Sequence, residues 1–478
     1  LYMDVRGDIH SHTDMNRIMS VYLLWRRTPG LHIGATCRKL TQEMARGQHD
    51  CPFDLCIVGA GMIGSAAAKH ASFIEGLRVC LIGPDEPSER RLSDGRDIYG
   101  AHYDEGRITR ISDPDPVWAI LARNSIRRYR DIENESGISF YKEVGAMQIG
   151  TRDSQYINDV RQTNSALNIS SREMNVSDMG KMFPYISFAA DDIAHYQSTN
   201  SGHISPRNLV RAQQVIASRH GCTLIRDVVA NIRRMVQSDG TYVMEVTTDS
   251  GSIYRSKKVL VTTGAFTTFR NILPYTDAVP DFKLYPITVS KVEVTPEYAE
   301  KLRSMPSISY RGMGGKDWFS GYPRNNDDQS VSYYMLPPIK YPDGRYYIKL
   351  GHNHTTLPKT LKTSDEAKRW FCEGDHKLVR TIADLIISMF SGIEPLSIEG
   401  DQCAIVETPT VRPYIDMVHS QLGVAIGGNG YAAKSSDEIG RIAAVMVMRG
   451  WDSEIPKEKF TLRLKSKNET SGYVKSNL

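Results

Sequence analysis

The sequence has few cysteines, no long apolar run and almost no excess of charge, and each absence excludes a class of protein. Seven cysteines are scattered among 478 residues, and none forms a CxxC pair. Disulfide frameworks and structural zinc sites need closer spacing, so we expect free thiols in a reducing compartment and no metal. No apolar run approaches the roughly 18 residues of a membrane-spanning helix. The 59 basic and 55 acidic residues leave a net charge of +4, which is too small to indicate nucleic-acid binding.

The composition that remains is that of an ordinary folded protein. Hydrophobic residues make up 40% and charged residues 24% of the chain. The length is sufficient for two or three domains. We therefore expect a small molecule as the partner, and neither nucleic acid nor a membrane.

A glycine-rich motif near residue 60 indicates a dinucleotide site. In FDLCIVGAGMIGSAAAKHA (53–71) an apolar run precedes Gly59, Gly61 and Gly64, which match GxGxxG, and small residues continue as a helix. The glycines allow a tight turn and close approach to a pyrophosphate, and the helix N-terminus supplies unpaired N–H groups to that anion. A second apolar strand, RVCLIG (78–83), follows at βαβ spacing. Together these elements predict a Rossmann-like fold.

One element of the motif is missing. An acid normally ends the second strand and binds the ribose hydroxyls, but Gly83 stands at this position. Asp85 or Glu86, shortly after it, could replace that acid. The residue that binds the ribose therefore stays open.

Further segments typical of a dinucleotide-binding domain recur along the chain. SPRNLVRAQQVIASRHG (205–221) predicts a helix with Ser205 as its N-cap, and KKVLVTTGAF (257–266) predicts a buried strand. GVAIGGNGYAAKSSDEIGRIAAVMVMRG (423–450) predicts a strand, a glycine-rich turn and a helix. Two long stretches of different character lie between these segments, so the chain is expected to interleave two domains.

The expected fold is mixed α/β (α+β), with a Rossmann-like dinucleotide-binding domain interleaved with a substrate domain that is built on an antiparallel sheet. The first domain comprises residues 51–110, 205–270 and 400–455, and the second comprises 111–204 and 271–399. Residues 1–50 form an N-terminal extension and residues 456–478 a C-terminal tail.

Three further segments follow the glycine motif along the chain. They are AHYDEGRITR (101–110), IKLGHN (348–353), and CAIVETPTVRPYID (403–416) with GGNGYAAKSS (427–436) after it. The first resembles an SHHGDTRIIR loop, the second an LKLGYH strand, and the third the segments C-x-Y-T-x-T...F-I-I-D and G-H-G-F-K. With these four motifs in order, the chain resembles the FAD-dependent amine oxidases of the D-amino-acid-oxidase superfamily, above all the monomeric sarcosine oxidase group with its N-methyltryptophan and pipecolate oxidases.

The resemblance implies FAD as the cofactor and an amine as the substrate. Hydride passes from the carbon beside a secondary or tertiary amine to flavin N5, the imine hydrolyses, and dioxygen reoxidises the flavin to give hydrogen peroxide. Arg110 and Lys434 match the residues that hold the substrate carboxylate, and Arg107 matches a second arginine close to the flavin. Gly428 and Gly430, in the glycine-rich turn, are expected to contact the cofactor.

Lys349 matches a lysine that the group places near flavin N5. In YPDGRYYIKLG (341–351) a turn precedes a strand, and alternation puts Lys349 on the face opposite Ile348 and Leu350. Its charge would stabilise reduced oxygen in a water-poor site. This favours an oxidase over a dehydrogenase that passes electrons to a carrier protein. A flavin-binding protein without turnover and a plain NAD-dependent dehydrogenase are the remaining alternatives.

The residues expected around the substrate depart from the group's pattern. Tyr103 replaces a histidine, and Tyr431 with two alanines replaces His-Gly-Phe before Lys434. Tyr322 lies near the position of a family tyrosine in a YGFP-like segment. These changes reshape the pocket but keep the cations that anchor a carboxylate. The sequence therefore favours an amino-acid-like amine, N-methylated or cyclic, over sarcosine itself.

Cys403 has four interpretations from the sequence alone: a buried small side chain, half of a disulfide, a metal ligand or an attachment point. It lies five residues before Thr408 and thirteen before Asp416, the spacing at which the sarcosine oxidase group places its flavin-linked cysteine. The resemblance therefore implies a thioether from Cys403 to the 8α-methyl of FAD. Its formation needs the thiolate, which a nearby cation would favour.

The two ends of the chain lie outside the resemblance. Between Asp14 and Glu43 there are several basic residues and no acid, a bias that resembles a mitochondrial presequence, with a disordered extension as the alternative. The final Ser476-Asn477-Leu478 resemble the tripeptide that the peroxisomal import receptor binds. We expect a peroxisomal or cytoplasmic protein, with a mitochondrial location as the alternative, and a monomer, as in the group that the chain resembles.

Overall fold

The computed structural model describes residues 52–273, 278–313, 330–352 and 360–466. The N-terminal extension, Tyr322 and the C-terminal tripeptide lie outside the described residues, so the expectations for them stay predictions.

Strands form two large sheets and two small ones in the described residues. In chain order they are β1 (Phe53–Val58), β2 (Val79–Ile82), β3 (Arg107–Thr109), β4 (Tyr141–Lys142), β5 (Ala146–Thr151), β6 (Arg172–Asn175), β7 (Asp192–Gln197), β8 (Gly202–Ile204), β9 (Thr223–Ile225), β10 (Val229–Val236), β11 (Tyr242–Thr248), β12 (Ile253–Val261), β13 (Ala278–Pro280), β14 (Lys283–Val294), β15 (Ser307–Gly312), β16 (Val331–Lys340), β17 (Tyr346–His352), β18 (Ile398–Glu407), β19 (Tyr414–His419), β20 (Leu422–Ile426) and β21 (Leu464–Ser466).

Helices lie between and upon these sheets. They are α1 (Met62–Ser72), α2 (Pro116–Ile126), α3 (Tyr129–Ser136), α4 (Gln155–Ala166), α5 (Val176–Met182), α6 (Pro206–Arg219), α7 (Phe266–Phe269), α8 (Pro296–Lys301), α9 (Ser364–Glu373), α10 (His376–Met389) and α11 (Ser436–Arg449), with short 3₁₀ helices at Ala432–Ser435 and Lys457–Phe460. Ser205 caps α6, as predicted, because its hydroxyl accepts the backbone N–H of Asn208 at 3.2 Å.

The first large sheet has a parallel centre in the order β9-β2-β1-β12-β20. Apart from Asp54, β1 and β2 are apolar and almost entirely buried, as strands of a parallel sheet covered on both faces must be. α1 and α11 contribute buried residues to the same core. β10, β11 and β19 extend the sheet in antiparallel pairs. This is the predicted Rossmann-like layer.

The second large sheet runs in the order β18-β14-β17-β16-β15-β5-β7-β6 and is antiparallel except for the pair β15–β5. Ile348 and Leu350 of β17 share one core cluster with residues of α10. Lys349 lies between them in sequence and outside that cluster, as strand alternation predicts. The mixed α/β fold class is confirmed.

Cys403 belongs to the second large sheet. It lies in β18, where its Cα partner is Ile287 of β14. The domain boundary that we placed at residue 400 therefore falls inside a strand of this sheet. The loop that leads into Arg107 is held by a small antiparallel sheet, in which β3 and β4 both pair with β8.

Within the described residues no disulfide joins the cysteines, which are Cys56, Cys80, Cys222, Cys372 and Cys403. Within the described ranges no helix is long and apolar enough to cross a membrane.

Candidate active site

A cavity of about 1010 Å³ lies at the carboxyl end of β1 and reaches the second sheet. Its volume is at the upper end of the range for small-molecule sites, roughly 300–1,000 Å³. Most of the predicted site residues line it: Gly59, Gly61, Tyr103, Arg107, Arg110, Cys403, Gly428, Gly430, Tyr431 and Lys434. Gly64 and Lys349 are absent from the wall. Residues that are more than 300 positions apart in sequence thus meet in one cavity.

The glycine motif forms a cradle at one end of the cavity. A Cβ on Gly59, whose φ is +108°, would lie 2.8 Å from the carbonyl oxygen of Thr262. A Cβ on Gly64 would lie 1.8 Å from the carbonyl oxygen of Gly59. Gly61 is the N-cap of α1, so the first N–H groups of this helix are left without a side-chain cap. The cradle fits a dinucleotide pyrophosphate.

Asp85 and Glu86, the two candidates for the missing ribose acid, form ion pairs with arginines instead. The carboxylate of Asp85 pairs with Arg226 at 3.0 Å, and that of Glu86 pairs with Arg207 at 2.6 Å. Neither acid lines the cavity, whereas Asp227 does. Asp227 follows β9, which pairs in parallel with β2, so it lies at the same sheet edge as Gly83. It is the acid that sequence reasoning missed at this edge.

Cys403 lies in the wall beside a cation. Its Sγ accepts from Nη2 of Arg107 at 3.8 Å, and its backbone carbonyl accepts Trp370 Nε1–H at 2.7 Å. The side chain therefore lines the cavity next to a guanidinium.

Behind this wall, Asp104 joins two cations. Its carboxylate accepts from Lys349 Nζ and from Arg107 Nη1, and Tyr341 Oη donates to it at 2.8 Å. Burial alone would raise the pKa of Asp104, but the charges of Lys349 and Arg107 outweigh it and hold that pKa well below its usual range. Burial and the charge of Arg107 lower the pKa of Lys349, and Asp104 opposes this shift. Asp104 stands where the family loop SHHGDTRIIR has glycine.

A second buried carboxylate joins the two predicted anchor cations. Asp113 Oδ2 accepts from Arg110 Nη1 at 2.6 Å and lies 3.1 Å from Lys434 Nζ. Burial would raise the pKa of Asp113, but the charges of Lys434 and Arg110 lower it. Burial lowers the pKa of Lys434 to about 8, although Asp113 opposes the shift. Sequence reasoning identified both cations and missed Asp113.

Aromatic rings close the same end of the cavity. The ammonium of Lys434 lies 4.9 Å from the ring centre of Tyr431 and 5.4 Å from that of Trp118. The two rings lie 5.5 Å apart, centre to centre. The rings flank the buried cation and add favourable cation–π contacts.

A protein-family model described as FAD-dependent oxidoreductase (DAO) matches residues 54–446. Over 173 residues the chain is 27% identical to the monomeric sarcosine oxidase of Streptomyces avermitilis, an alignment that covers 36% of this chain and 42% of that relative. It is 24% identical to a probable sarcosine oxidase of Arabidopsis thaliana over 412 residues, which cover 84% of this chain and 89% of that relative. An N-methyl-L-tryptophan oxidase of Yersinia pestis is 22% identical over 276 residues, covering 58% and 68%.

Solved structures share the fold. The open form of NikD, an unusual amino acid oxidase essential for nikkomycin biosynthesis, superposes with a TM-score of 0.66 at 17% identity, covering 86% of this chain and 98% of that one. L-proline dehydrogenase from P. horikoshii gives 0.63 at 14% identity, covering 86% and 96%. The family match, the glycine cradle and the shared fold confirm the resemblance seen in the sequence, and the chain belongs to the DAO family of FAD-dependent oxidoreductases.

Proposed function

We propose that the protein oxidises a secondary or tertiary amine of an amino acid, N-methylated or cyclic, and passes the electrons to dioxygen to give hydrogen peroxide. The names of its relatives, monomeric sarcosine oxidase and N-methyl-L-tryptophan oxidase, support this substrate class. We further propose a monomer whose FAD is bonded to Cys403.

The observation that carries the proposal is the pair of buried cations, Arg110 and Lys434, at one end of the cavity. Buried cations need an anionic partner. The single carboxylate of Asp113 leaves this pair with one uncompensated positive charge. An amino acid supplies the missing negative charge through its own carboxylate.

The chemistry divides between cofactor and chain. Bound FAD supplies the two-electron acceptor. Arg110 and Lys434 hold the substrate carboxylate, which fixes the direction of the amine-bearing carbon. That carbon and nitrogen lose two electrons and two protons. Water then hydrolyses the C=N bond to a carbonyl group and an amine, which are two molecules for an N-methyl substrate and one ring-opened molecule for a cyclic one. Dioxygen takes up two electrons and two protons.

One observation favours a second candidate, a dehydrogenase that delivers electrons to a carrier protein. Lys349, the expected oxygen-activating cation, is bound by Asp104 and does not line the cavity. A compensated charge behind the wall stabilises reduced oxygen less than a free one. The two candidate functions differ only in the electron acceptor, which is dioxygen for the oxidase and a carrier protein for the dehydrogenase.

The test is to mix the flavin-loaded protein, without oxygen, with a panel of N-methyl and cyclic amino acids and with the matching amines that lack the carboxylate. We expect the amino acids to bleach the flavin absorbance and the decarboxylated amines to fail. Arg110→Met should lose the bleaching, whereas Arg123→Met, at a half-exposed pair with Glu454, should keep it. Equal bleaching by amines without a carboxylate would contradict the proposal.

A further inference from the structure

Asp113 lies behind the two anchor cations and takes no part in the cavity wall. Its side chain is fully buried. Oδ2 accepts from Arg110 and lies 3.1 Å from the ammonium of Lys434, and Oδ1 accepts the backbone N–H of Asp115 at 3.1 Å. Both oxygens therefore have partners, so Asp113 acts on the cations and does not contact the substrate.

The cations need this carboxylate. Arg110 and Lys434 are buried and meet at one oxygen atom, so without a counter-ion they would repel each other in surroundings that already disfavour charge. A lysine responds to such surroundings by losing its proton, whereas an arginine stays charged. Removal of Asp113 would therefore lower the pKa of Lys434 further, whereas Arg110 would stay charged.

Asp113 also determines which donors remain for a ligand. Arg110 uses Nη1 on Ser112 O and Asp113, and Nε on Ser309 Oγ at 3.4 Å. Within the described part of the chain, its Nη2 makes no hydrogen bond. Lys434 forms an ion pair with Asp113 and donates to the Tyr431 carbonyl at 3.4 Å, which leaves an N–H group for a ligand. The free donors of the two cations would therefore let a ligand carboxylate bridge Arg110 and Lys434, whereas Arg110 alone has no pair of free donors for a two-pronged contact.

We propose that Asp113 is the positioning residue of the carboxylate site: it holds Arg110 and Lys434 together as a charged pair and leaves one positive charge for one substrate carboxylate. The inference rests on the proposed function, since it concerns the same anchor. It adds that the substrate class is an amino acid with a single carboxylate.

Few other charged or titratable groups face Lys434 and Arg110 in the described residues. The groups that face Lys434 or Arg110 from the packed elements are Asp115 at the start of α2, the Trp118 ring of α2, Tyr156 of α4 and Tyr431. Asp115 pairs with Arg412 at 2.7 Å. Arg152 and Arg311 also line the cavity, but both are exposed. Lys434 is therefore the group in this cluster that titrates near neutral pH.

The first test measures carboxylate binding without turnover. The oxidised, flavin-loaded protein is titrated with propionate between about pH 6 and 9.5, and the flavin absorbance reports binding. In the wild type we expect the Kd to be constant up to about pH 8 and then to rise on the order of tenfold by pH 9.5, as Lys434 loses its proton. In Asp113→Asn the rise should begin at least about one pH unit lower, with affinity at pH 6 within about threefold of the wild type. If Asp113→Asn binds propionate more weakly by the same factor at every pH, or if its Kd begins to rise at the same pH as in the wild type, the proposal is overturned.

Two further variants keep the test decisive even if Asp113→Asn does not fold. Lys434→Arg carries a charge that does not titrate in this range, so its propionate Kd should stay level; a rise that persists in this variant contradicts the proposal.

The wild type should bind propionate at least about tenfold more tightly than malonate, which carries two charges; equal affinity overturns the single-carboxylate claim. Retained propionate binding in Arg110→Met would instead place the carboxylate site elsewhere and reject the proposed function itself.

Discussion

Lys349 and Asp104 form an ion pair one layer behind the cavity wall. The lysine ammonium is fully buried and donates to the carboxylate and to the carbonyl oxygen of Gly106 at 2.8 Å. The same carboxylate accepts from Arg107, which lies in the wall next to Cys403. Two cations thus share one buried acid, as Arg110 and Lys434 do with Asp113. The cavity is flanked by two clusters that each carry one net positive charge, one beside Cys403 and one at the proposed carboxylate site.

Replacement of Lys349 by methionine should separate the two half-reactions. If the buried charge acts on oxygen, reoxidation slows about 100-fold, while reduction by substrate changes little. Stopped-flow absorbance of each half-reaction measures this. Lys340→Met, an exposed lysine at the end of β16, is the matched control and should leave both rates unchanged. Equal loss of both rates in Lys349→Met would rule out a role specific to oxygen.

Asp104 should set the pH range in which Lys349 is charged. Burial and Arg107 lower the pKa of Lys349 and Asp104 raises it, so removal of the acid lowers that pKa further. In Asp104→Asn, reoxidation should therefore begin to fall at a lower pH than in the wild type and recover on acidification. The pH profile of the reoxidation rate gives the answer. An identical profile in both proteins would show that Asp104 does not control the lysine's charge.

A mass measurement tests the proposed bond between Cys403 and FAD. The intact, denatured wild-type chain should carry the added mass of FAD, and Cys403→Ser should lack it. Cys372→Ser is the matched control, because Cys372 is also a partly buried free thiol, close to Tyr99, which lines the cavity. Arg107→Met should form the adduct more slowly, since the guanidinium lies 3.8 Å from the thiol. An adduct that survives in Cys403→Ser would place the link on another residue.

Gly64 and Gly61 should respond differently to alanine. A Cβ on Gly64 would lie 1.8 Å from a backbone oxygen, so Gly64→Ala should cost about 1–3 kcal/mol of apoprotein stability and also lose FAD. A Cβ on Gly61 has its nearest neighbour, Nδ1 of His102, at 3.9 Å, so Gly61→Ala should lower apoprotein stability less than Gly64→Ala does and act mainly on FAD binding. Thermal melting with and without FAD distinguishes the two. Matching losses would contradict the assigned roles.

The sequence predicted those parts of the fold that depend on short-range patterns. The glycine motif sits between β1 and α1, Ser205 caps α6, and alternation along β17 turns Lys349 away from the core face. Each of these follows from residues a few positions apart, whose backbone geometry leaves few alternatives.

The acids that tune the site could not be predicted in the same way. Asp104 and Lys349 are 245 residues apart, and their contact exists only because the 101–110 loop packs against the second sheet. Asp113 follows Arg110 by three residues, but in a loop this spacing does not bring two side chains together by itself. The ribose acid was sought after β2, whereas the cavity is lined by Asp227 after the neighbouring strand β9.

The most direct test of the central claim is the stoichiometry of peroxide formation. Purified, flavin-loaded protein is given an N-methyl or cyclic amino acid in air, and hydrogen peroxide is counted against amine consumed. The account predicts one peroxide per amine oxidised. If the amine bleaches the flavin absorbance but this absorbance recovers slowly in air, with little hydrogen peroxide, the oxidase function is contradicted and the dehydrogenase function is favoured.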